Sequence, residues 1–265
     1  MTEFNLRLKA SVDANKFRYG YPWIYSNEII SDRRTKSLLP GSFCKLVDYN
    51  KNPICLVTVN PKSKIFARVM DFNLETTVDA YWLKDKISKA LAKRKEIFRD
   101  PFYRLVNAEA DELPGLIVDR FDNVIVMQPN AFWAENMSEI IANSIKEVCS
   151  IDVVIKNASG RSRRLEGLDD KNSVFFGDLP EAAISVPMNG AIYKADVHEG
   201  QKTGLFYDQR QNHKFVASLA NGKTVLDVFC HVGGFGLAAI AAGASKVSFV
   251  DSSANALDLV RESAS

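Results

Sequence analysis

The sequence predicts a mixed β and α/β fold in three parts: a small N-terminal β barrel, an α+β middle domain and an incomplete Rossmann-like domain. Three observations support this prediction. Short apolar, β-branched runs between turn residues occupy positions 1–72, and helical and strand patterns alternate over 73–185. Positions 186–265 then contain a strand, a glycine cluster, an alanine-rich helix and a second strand. We place the domain boundaries at the ends of these three ranges.

The composition is that of a globular protein. Of the 265 residues, 46% are hydrophobic and 25% are charged, and the net charge is only +2. Any affinity for nucleic acid therefore has to come from a local basic surface. The four cysteines and three histidines are widely separated and form no CxxC pair, which predicts no metal site and no disulfide. Charges near the N-terminus and the lack of an apolar run of about 18 residues predict a cytoplasmic protein without a signal peptide or membrane span.

The barrel is predicted over residues 1–72. Strands are expected at 5–8, 43–48, 54–59 and 65–69. An aromatic cluster with Tyr21 and Trp23 interrupts them, and it is interpreted either as barrel core or as a surface on which RNA bases stack. Arg33 and Arg34 follow in a predicted polar loop, either as solvated charges or as phosphate contacts.

The middle domain is predicted from an amphipathic helix followed by alternating strands and helices. Helices are expected at 76–98 and 134–149, with strands after the turn at 113–115, at 123–128 and at 153–156. Arg161, Arg163 and Arg164 then place three arginines within four positions of a predicted loop. Such a loop either binds phosphate or is simply solvated.

Residues 224–251 carry the most informative pattern. An apolar strand over 224–229 is predicted to be buried on both faces, and Gly233 and Gly234 then allow a tight turn whose N–H groups approach a ligand. A helix is expected over 234–242 and a second strand over 247–250. That strand ends in Asp251, and a carboxylate about 20 residues beyond such a turn is placed to accept both hydroxyls of a ribose.

The order of the glycines bears on the ligand. Dinucleotide-binding loops have the order G-x-G-x-x-G, whereas this chain has G-G-x-G shortly after Asp227 and Phe229. A carboxylate beside the loop repels a diphosphate and attracts the cationic methionyl part of S-adenosyl-L-methionine. This methyl donor is the predicted cofactor. The alternatives are an NAD-dependent enzyme and a glycine-rich turn without a ligand.

Three segments resemble one family. Residues 21–29, 103–121 and 200–210 are similar to bacterial 23S rRNA (cytosine-C5) methyltransferases with an N-terminal PUA domain, which are class I S-adenosylmethionine-dependent enzymes. The last segment, GQKTGLFYDQR, matches the family signature almost residue for residue. The resemblance implies a PUA-like barrel that binds RNA, with 23S rRNA as the binding partner. It is also compatible with a homodimer. It implies a cofactor pocket formed by Lys202, Thr203, Phe206, Asp208, Gln209, Arg210, Asp227, Phe229, Gly233, Gly234, Asp251 and Ser252.

The resemblance also implies a reaction, the transfer of a methyl group to C5 of a cytosine in large-subunit rRNA. Because C5 is a poor nucleophile, a cysteine thiolate must first add to C6 of the base. Cys230 lies on the cofactor side and is interpreted as a wall residue, so the catalytic cysteine is expected beyond Ser265. The chain is thus predicted to be C-terminally truncated. The alternative is an inactive module that binds RNA and S-adenosylmethionine.

Overall fold

The computed structural model describes residues 4–197 and 204–264. The N-terminal part is a five-stranded sheet in the order β1-β3-β4-β5-β2, in which β1 and β3 run parallel and the other neighbours antiparallel. Leu6, Leu46 and Val57 contribute to its buried core. The elements are β1 (Asn5–Arg7), α1 (Asn15–Arg18), β2 (Trp23–Tyr25), α2 (Arg33–Lys36), β3 (Phe43–Val47), β4 (Pro53–Val59) and β5 (Ile65–Asp71).

The aromatic cluster contains a strand that the sequence pattern did not predict. β2 pairs with β5, and its side chains alternate as a strand requires, with Ile24 buried and Trp23 and Tyr25 half-buried. Tyr21, just before the strand, is 38% exposed. The cluster therefore contributes Ile24 to the core and leaves Tyr21 accessible.

The prediction of a polar loop at Arg33 and Arg34 is wrong, because these residues form the short helix α2. Asp32 accepts a hydrogen bond from the Thr35 backbone N–H at 2.8 Å, and the Thr35 hydroxyl accepts one from the Asp32 N–H at 2.7 Å. This reciprocal capping satisfies the first free amides of the helix. Both arginine side chains are exposed.

The middle part is a second five-stranded sheet in the order β10-β9-β8-β7-β6, with β8 and β9 parallel. Helices α3 and α5 pack together against it, and an edge contact between Trp82 and Trp133 at 6.3 Å lies in its core. The elements are α3 (Ala80–Ile97), β6 (Phe102–Asn107), β7 (Leu116–Phe121), β8 (Val124–Pro129), α4 (Phe132–Asn136), α5 (Ser138–Cys149), β9 (Val153–Lys156), α6 (Arg161–Glu166) and β10 (Ser173–Phe176).

Two predictions for this part are corrected. The single helix predicted over 134–149 is two helices, because Met137 adopts a non-helical backbone while Trp133 is buried and donates its indole N–H to the Pro114 carbonyl at 2.8 Å. The predicted arginine loop is the helix α6, bounded by Gly160 and Gly167, both with positive φ.

A buried polar network joins the N-terminal sheet to the middle part. The carboxylate of Glu166 is almost fully buried and accepts hydrogen bonds from Asn60 Nδ2 at 2.7 Å and Ser63 Oγ at 3.1 Å. Arg68 approaches the same carboxylate at 2.6 Å and Glu109 at 3.3 Å. One buried charge therefore has three partners from the neighbouring sheet, which satisfies it and fixes the two parts relative to each other.

The last part contains a hairpin and a parallel strand pair. The hairpin turns at Asn189 and Gly190, both with positive φ, as a type I′ turn requires. None of the helices in the described ranges is long and apolar enough to span a bilayer. The elements are β11 (Ile184–Met188), β12 (Ala191–Ala195), α7 (Arg210–Ala217), β13 (Thr224–Val228), α8 (Gly234–Ala241), β14 (Lys246–Val250) and α9 (Ala254–Ala264).

The prediction that the first strand of this pair is buried on both faces is wrong. Within the described ranges β13 pairs with β14 alone, and Leu226 and Val228 are 65% and 47% exposed. The intervening Asp227 is buried and bonded to α8. One face of β13 is thus covered and the other is open.

Candidate cofactor-binding and nucleic-acid-binding sites

A cleft of about 330 Å³ lies beyond the carboxyl ends of β13 and β14. This is the position at which open α/β sheets bind their ligands. Four predicted cofactor residues line it, namely Phe206, Phe229, Asp251 and Ser252. Four residues that were not predicted from the sequence also line the cleft, namely Asp196, His231, Ser253 and Asn255. For His231 a signal existed, since it stands within the loop that precedes the glycines.

Asp251 is the central polar group of this cleft. Its two carboxylate oxygens accept hydrogen bonds from the backbone N–H groups of His231 at 2.8 Å and Ser253 at 2.9 Å. These bonds lower the pKa of Asp251, the Ser253 bond most, so the group is ionised at neutral pH. Each carboxylate oxygen has a further lone pair, so both can still accept a hydrogen bond from a ligand.

Aromatic rings provide the apolar part of the cleft. The ring of Phe206 contacts the imidazole of His231 edge-on, with the ring centroids 4.7 Å apart. Phe229 is 87% exposed and has a φ of 60°, which is strained for a non-glycine residue. The chain thus exposes a large apolar ring at a strained position beside an ionised carboxylate, a combination suited to a planar ligand that carries hydroxyl groups.

The glycines pack helix α8 rather than line the cleft. A Cβ at Gly234 would lie 2.5 Å from the His213 ring, and one at Gly236 would lie 2.1 Å from Phe249. Gly233 has a φ of 80° and starts the helix. Gly233 and Gly234 are not among the described residues that line the cleft, so their predicted contact with a ligand has no support from the packing.

Asp227 lies behind the loop. Its carboxylate accepts a hydrogen bond from the Gly236 N–H at 2.8 Å, at the start of α8. Burial, with a smaller contribution from Asp251, raises its pKa, which the Gly236 bond partly offsets. Asp227 is absent from the described lining of the cleft, so any effect on a ligand is through its charge rather than through contact.

The remaining predicted residues of the signature segment turn away from the cleft. Asp208 and Arg210 line a second cleft against the middle part, and Gln209 accepts a hydrogen bond from Asn212 at 2.9 Å. Helix α7 starts without a side-chain cap, so Asp208 does not cap it. The predicted residues Lys202 and Thr203 lie outside the described residues.

Cys230 is a poor nucleophile in this environment. Its thiol is buried, and burial together with the charges of Asp227 and Asp251 raises its pKa to about 11. It is therefore protonated at neutral pH.

The arginines predicted to contact RNA fall into two groups. Arg163 is fully buried and donates to the Pro129 carbonyl at 2.5 Å and to Glu135 at 2.8 Å, so its predicted phosphate contact is wrong. Arg161 and Arg164, on the same short helix, are exposed.

Trp23 has a structural contact of its own. Its indole N–H donates to Glu109 at 2.8 Å, across the junction of the barrel and the middle part. Of the two predicted stacking residues, Tyr21 is the more accessible, since Trp23 is half-buried.

Comparison with known proteins places two regions of the chain. Residues 6–72 match the family model of a PUA-like domain, and residues 163–264 match that of S-adenosylmethionine-dependent methyltransferases. The chain is 34% identical over 245 residues to the ribosomal RNA large subunit methyltransferase I of Shewanella frigidimarina, covering 91% of this chain and 62% of that protein. It is 33% identical to the ribosomal RNA large subunit methyltransferase of Deinococcus radiodurans, covering 95% and 64%. The chain therefore spans a little under two thirds of the length of these curated relatives.

Solved structures share the fold. A protein from Streptococcus mutans described as a SAM-dependent methyltransferase superposes with a TM-score of 0.82 at 18% identity, over 98% of this chain and 66% of that one. SMU.776, described as a methyltransferase and solved with SAH, gives 0.81 at 18% identity, over 99% and 66%. These findings confirm the predicted N-terminal PUA-like domain, the mixed α/β fold and S-adenosylmethionine as the cofactor. The chain is thus similar to PUA-like domains over residues 6–72 and to S-adenosylmethionine-dependent methyltransferases over residues 163–264.

Proposed function

We propose that the cleft at β13 and β14 binds S-adenosylmethionine and that the chain serves in the methylation of large-subunit rRNA, at C5 of a cytosine. The observation that carries the proposal is the ionised carboxylate of Asp251 at the end of β14, with lone pairs free for the two ribose hydroxyls. The similarity to ribosomal RNA methyltransferases supplies the substrate class.

The residues present fit the cofactor. The rings of Phe206 and Phe229 suit the adenine, and Asp251 suits the ribose. The carboxylate of Asp227 behind the loop, like that of Asp251, favours a sulfonium cation and disfavours a diphosphate. When bound, the cofactor supplies an electrophilic methyl group, and these side chains hold and orient it. We keep Ser252 in the proposed binding set because it lines the same cleft.

The cytosine-C5 assignment is proposed from the resemblance. The reaction needs a thiolate, and all four cysteines of this chain are buried. Burial raises the pKa of Cys44 and Cys55 to about 12 and that of Cys149 to about 11. None of the four is ionised at neutral pH. We therefore assign none of these four thiols as the nucleophile, and we propose that the described residues bind and orient the reactants.

RNA binding is proposed for the barrel and for helix α6. Tyr21 offers a stacking surface, and Arg33, Arg34, Arg161 and Arg164 offer exposed guanidinium groups for phosphates. The homodimer and the cytoplasmic location stay predictions, and sedimentation velocity would test the first. The three-domain division at 1–72, 73–185 and 186–265 is likewise proposed, and limited proteolysis would test it.

The function is tested in two steps. Titration calorimetry with S-adenosylmethionine should show binding at one site, and its absence would overturn the cofactor assignment. Transfer of a radiolabelled methyl group to 23S rRNA isolated without its native modifications should then be measured, with nuclease digestion to identify the modified base. Binding of both partners without transfer would favour the inactive module, and label on a base other than cytosine would exclude the C5 assignment.

A further inference from the structure

A second cleft, of about 240 Å³, lies between the middle part and the start of α7. It is separate from the cofactor cleft, and no residue lines both among those described. The residues that give it its chemistry are Phe98, Tyr103, Arg104, Asn107, Asp208 and Arg210.

Planar groups form one part of the second cleft. The rings of Phe98 and Tyr103 are stacked, with centroids 5.5 Å apart and planes inclined by 22°. The guanidinium of Arg210 lies 4.5 Å from the centre of the Phe98 ring and donates a hydrogen bond to the Phe102 carbonyl at 2.8 Å. Tyr103 is buried, so the half-buried Phe98 ring and Arg210 guanidinium are the planar groups that an unpaired base can reach, and proteins stack bases on such groups.

Polar groups form the rim. Arg104 uses Nε and one terminal nitrogen to bind Asp119, at 2.8 and 3.1 Å. Its other terminal nitrogen lies 3.9 Å from Asp208 Oδ1, too far for a hydrogen bond. In the described part of the chain the Asn107 side-chain amide makes no hydrogen bond, and the Asp208 side chain is 43% exposed. The rim thus presents a carboxylate acceptor beside a guanidinium donor and an amide.

We propose that the second cleft binds an unstacked cytosine of an RNA chain. The exocyclic amino group of cytosine donates to Asp208, and its ring nitrogen and carbonyl oxygen accept from Arg104 and Asn107. Uracil presents a carbonyl where cytosine has the amino group, so its oxygen would face the carboxylate of Asp208. The inference rests on the proposed function for the presence of RNA, and it adds the residues that select the base.

The position of the second cleft agrees with a role beside the cofactor. Phe206 lines the cofactor cleft, whereas Tyr207, Asp208 and Arg210 line the second cleft. Tyr207 is buried and donates its hydroxyl to the Arg120 carbonyl at 3.0 Å, which anchors the segment to the middle sheet. Adjacent residues of one anchored segment, Phe206 and Tyr207, therefore line different clefts.

The test compares fluorescence anisotropy of end-labelled octamers of cytidine and of uridine. The intact chain should bind the cytidine octamer about tenfold more tightly, since one well-placed set of base-edge contacts discriminates by roughly this factor. Asp208→Ala should bring the ratio close to one and leave uridine binding unchanged. Asp258→Ala is the matched control, because Asp258 is an exposed carboxylate on α9 paired with Arg261, and it should keep the wild-type ratio.

Equal affinity of the wild-type chain for the two octamers would overturn the inference, as would an equal loss for both in Asp208→Ala. Melting curves followed by circular dichroism would show that the variant is folded. Calorimetry with S-adenosylmethionine on the same samples separates this inference from the proposed function. Intact cofactor binding with no base preference would overturn the inference about the second cleft and leave the proposed function standing. A base preference without cofactor binding would overturn the methyltransferase proposal and leave the inference about the second cleft standing.

Discussion

The carboxylate of Asp251 accepts the backbone N–H of His231 at 2.8 Å, so the end of β14 holds the loop that follows β13. His231 and Phe229 in that loop both have positive φ. The same carboxylate therefore stabilises an unfavourable loop conformation and offers acceptors to a ligand.

Asp251→Asn should weaken S-adenosylmethionine binding by roughly ten- to a hundredfold, because a hydrogen bond to a charged group contributes about 1.5–3 kcal/mol. Asparagine keeps the shape and one acceptor oxygen, so it retains one of the two backbone hydrogen bonds, and circular dichroism checks that the variant is folded. Titration calorimetry measures the affinity, and Asp258→Asn, an exposed carboxylate on α9, is the control. Unchanged affinity in Asp251→Asn would exclude the ribose contact.

Gly236→Ala should destabilise the protein, although alanine is normally about 1 kcal/mol better than glycine within a helix. The added Cβ would lie 2.1 Å from the Phe249 ring, and overpacking of this kind costs roughly 1–3 kcal/mol. Urea unfolding followed by circular dichroism measures the change. Adding Phe249→Leu should recover part of the loss, and a stabilised single variant would contradict the packing assignment.

Glu166→Gln should lower the free energy of unfolding by about 3 kcal/mol, since it breaks a buried ion pair and leaves Arg68 with its weaker partner Glu109. The control is Glu147→Gln, which removes an exposed pair with Lys84 and should change stability by less than about 1 kcal/mol. Equal effects of the two substitutions in thermal unfolding would show that the network does not stabilise the junction.

The stability that depends on His213 should fall as the pH is lowered from about 6.5 to about 4. Burial lowers the pKa of His213 to about 4, with Asp208 acting weakly in the opposite direction. As the pH falls, His213 is protonated near pH 6.5 in the unfolded chain but only near pH 4 in the folded chain. The contribution of the neutral imidazole to the free energy of unfolding, up to about 3 kcal/mol, is therefore complete above pH 6.5 and is lost between pH 6.5 and pH 4. His213→Gln should remove it. The difference in unfolding free energy between the wild-type chain and the variant should shrink from pH 7.5 to 4.5, and a constant difference would contradict the assignment.

Local patterns predicted most of the strands and helices. The strands predicted over 153–156 and 247–250 are found where the pattern placed them, because short apolar runs act within a few residues. The predictions that were wrong depend on contacts between residues far apart in the sequence. The predicted helix over 134–149 is interrupted at Met137, and Arg163 is buried by contacts from β8 and α4 that sequence spacing does not reveal.

The candidate site was predicted in part. Asp251 and Phe229 line the cleft, because the strand–turn–helix–strand order alone places such residues at the strand ends. A glycine is needed at position 234 because a Cβ there would collide with the ring of His213 on α7, a contact that no local sequence pattern indicates. Asp208 and Arg210 were assigned to the cofactor through the resemblance of residues 200–210 to the family signature, yet they line the second cleft while Phe206 lines the cofactor cleft.

That segment, from Gly204 to Arg210, has a thermodynamic consequence. If bound methyl donor restrains Phe206 and thereby reduces the motion of Asp208, then occupancy of the cofactor cleft changes the affinity of the second cleft for RNA by a fixed factor. The exchange is symmetrical: RNA held at Asp208 must tighten the methyl donor by the same factor by which the donor tightens RNA.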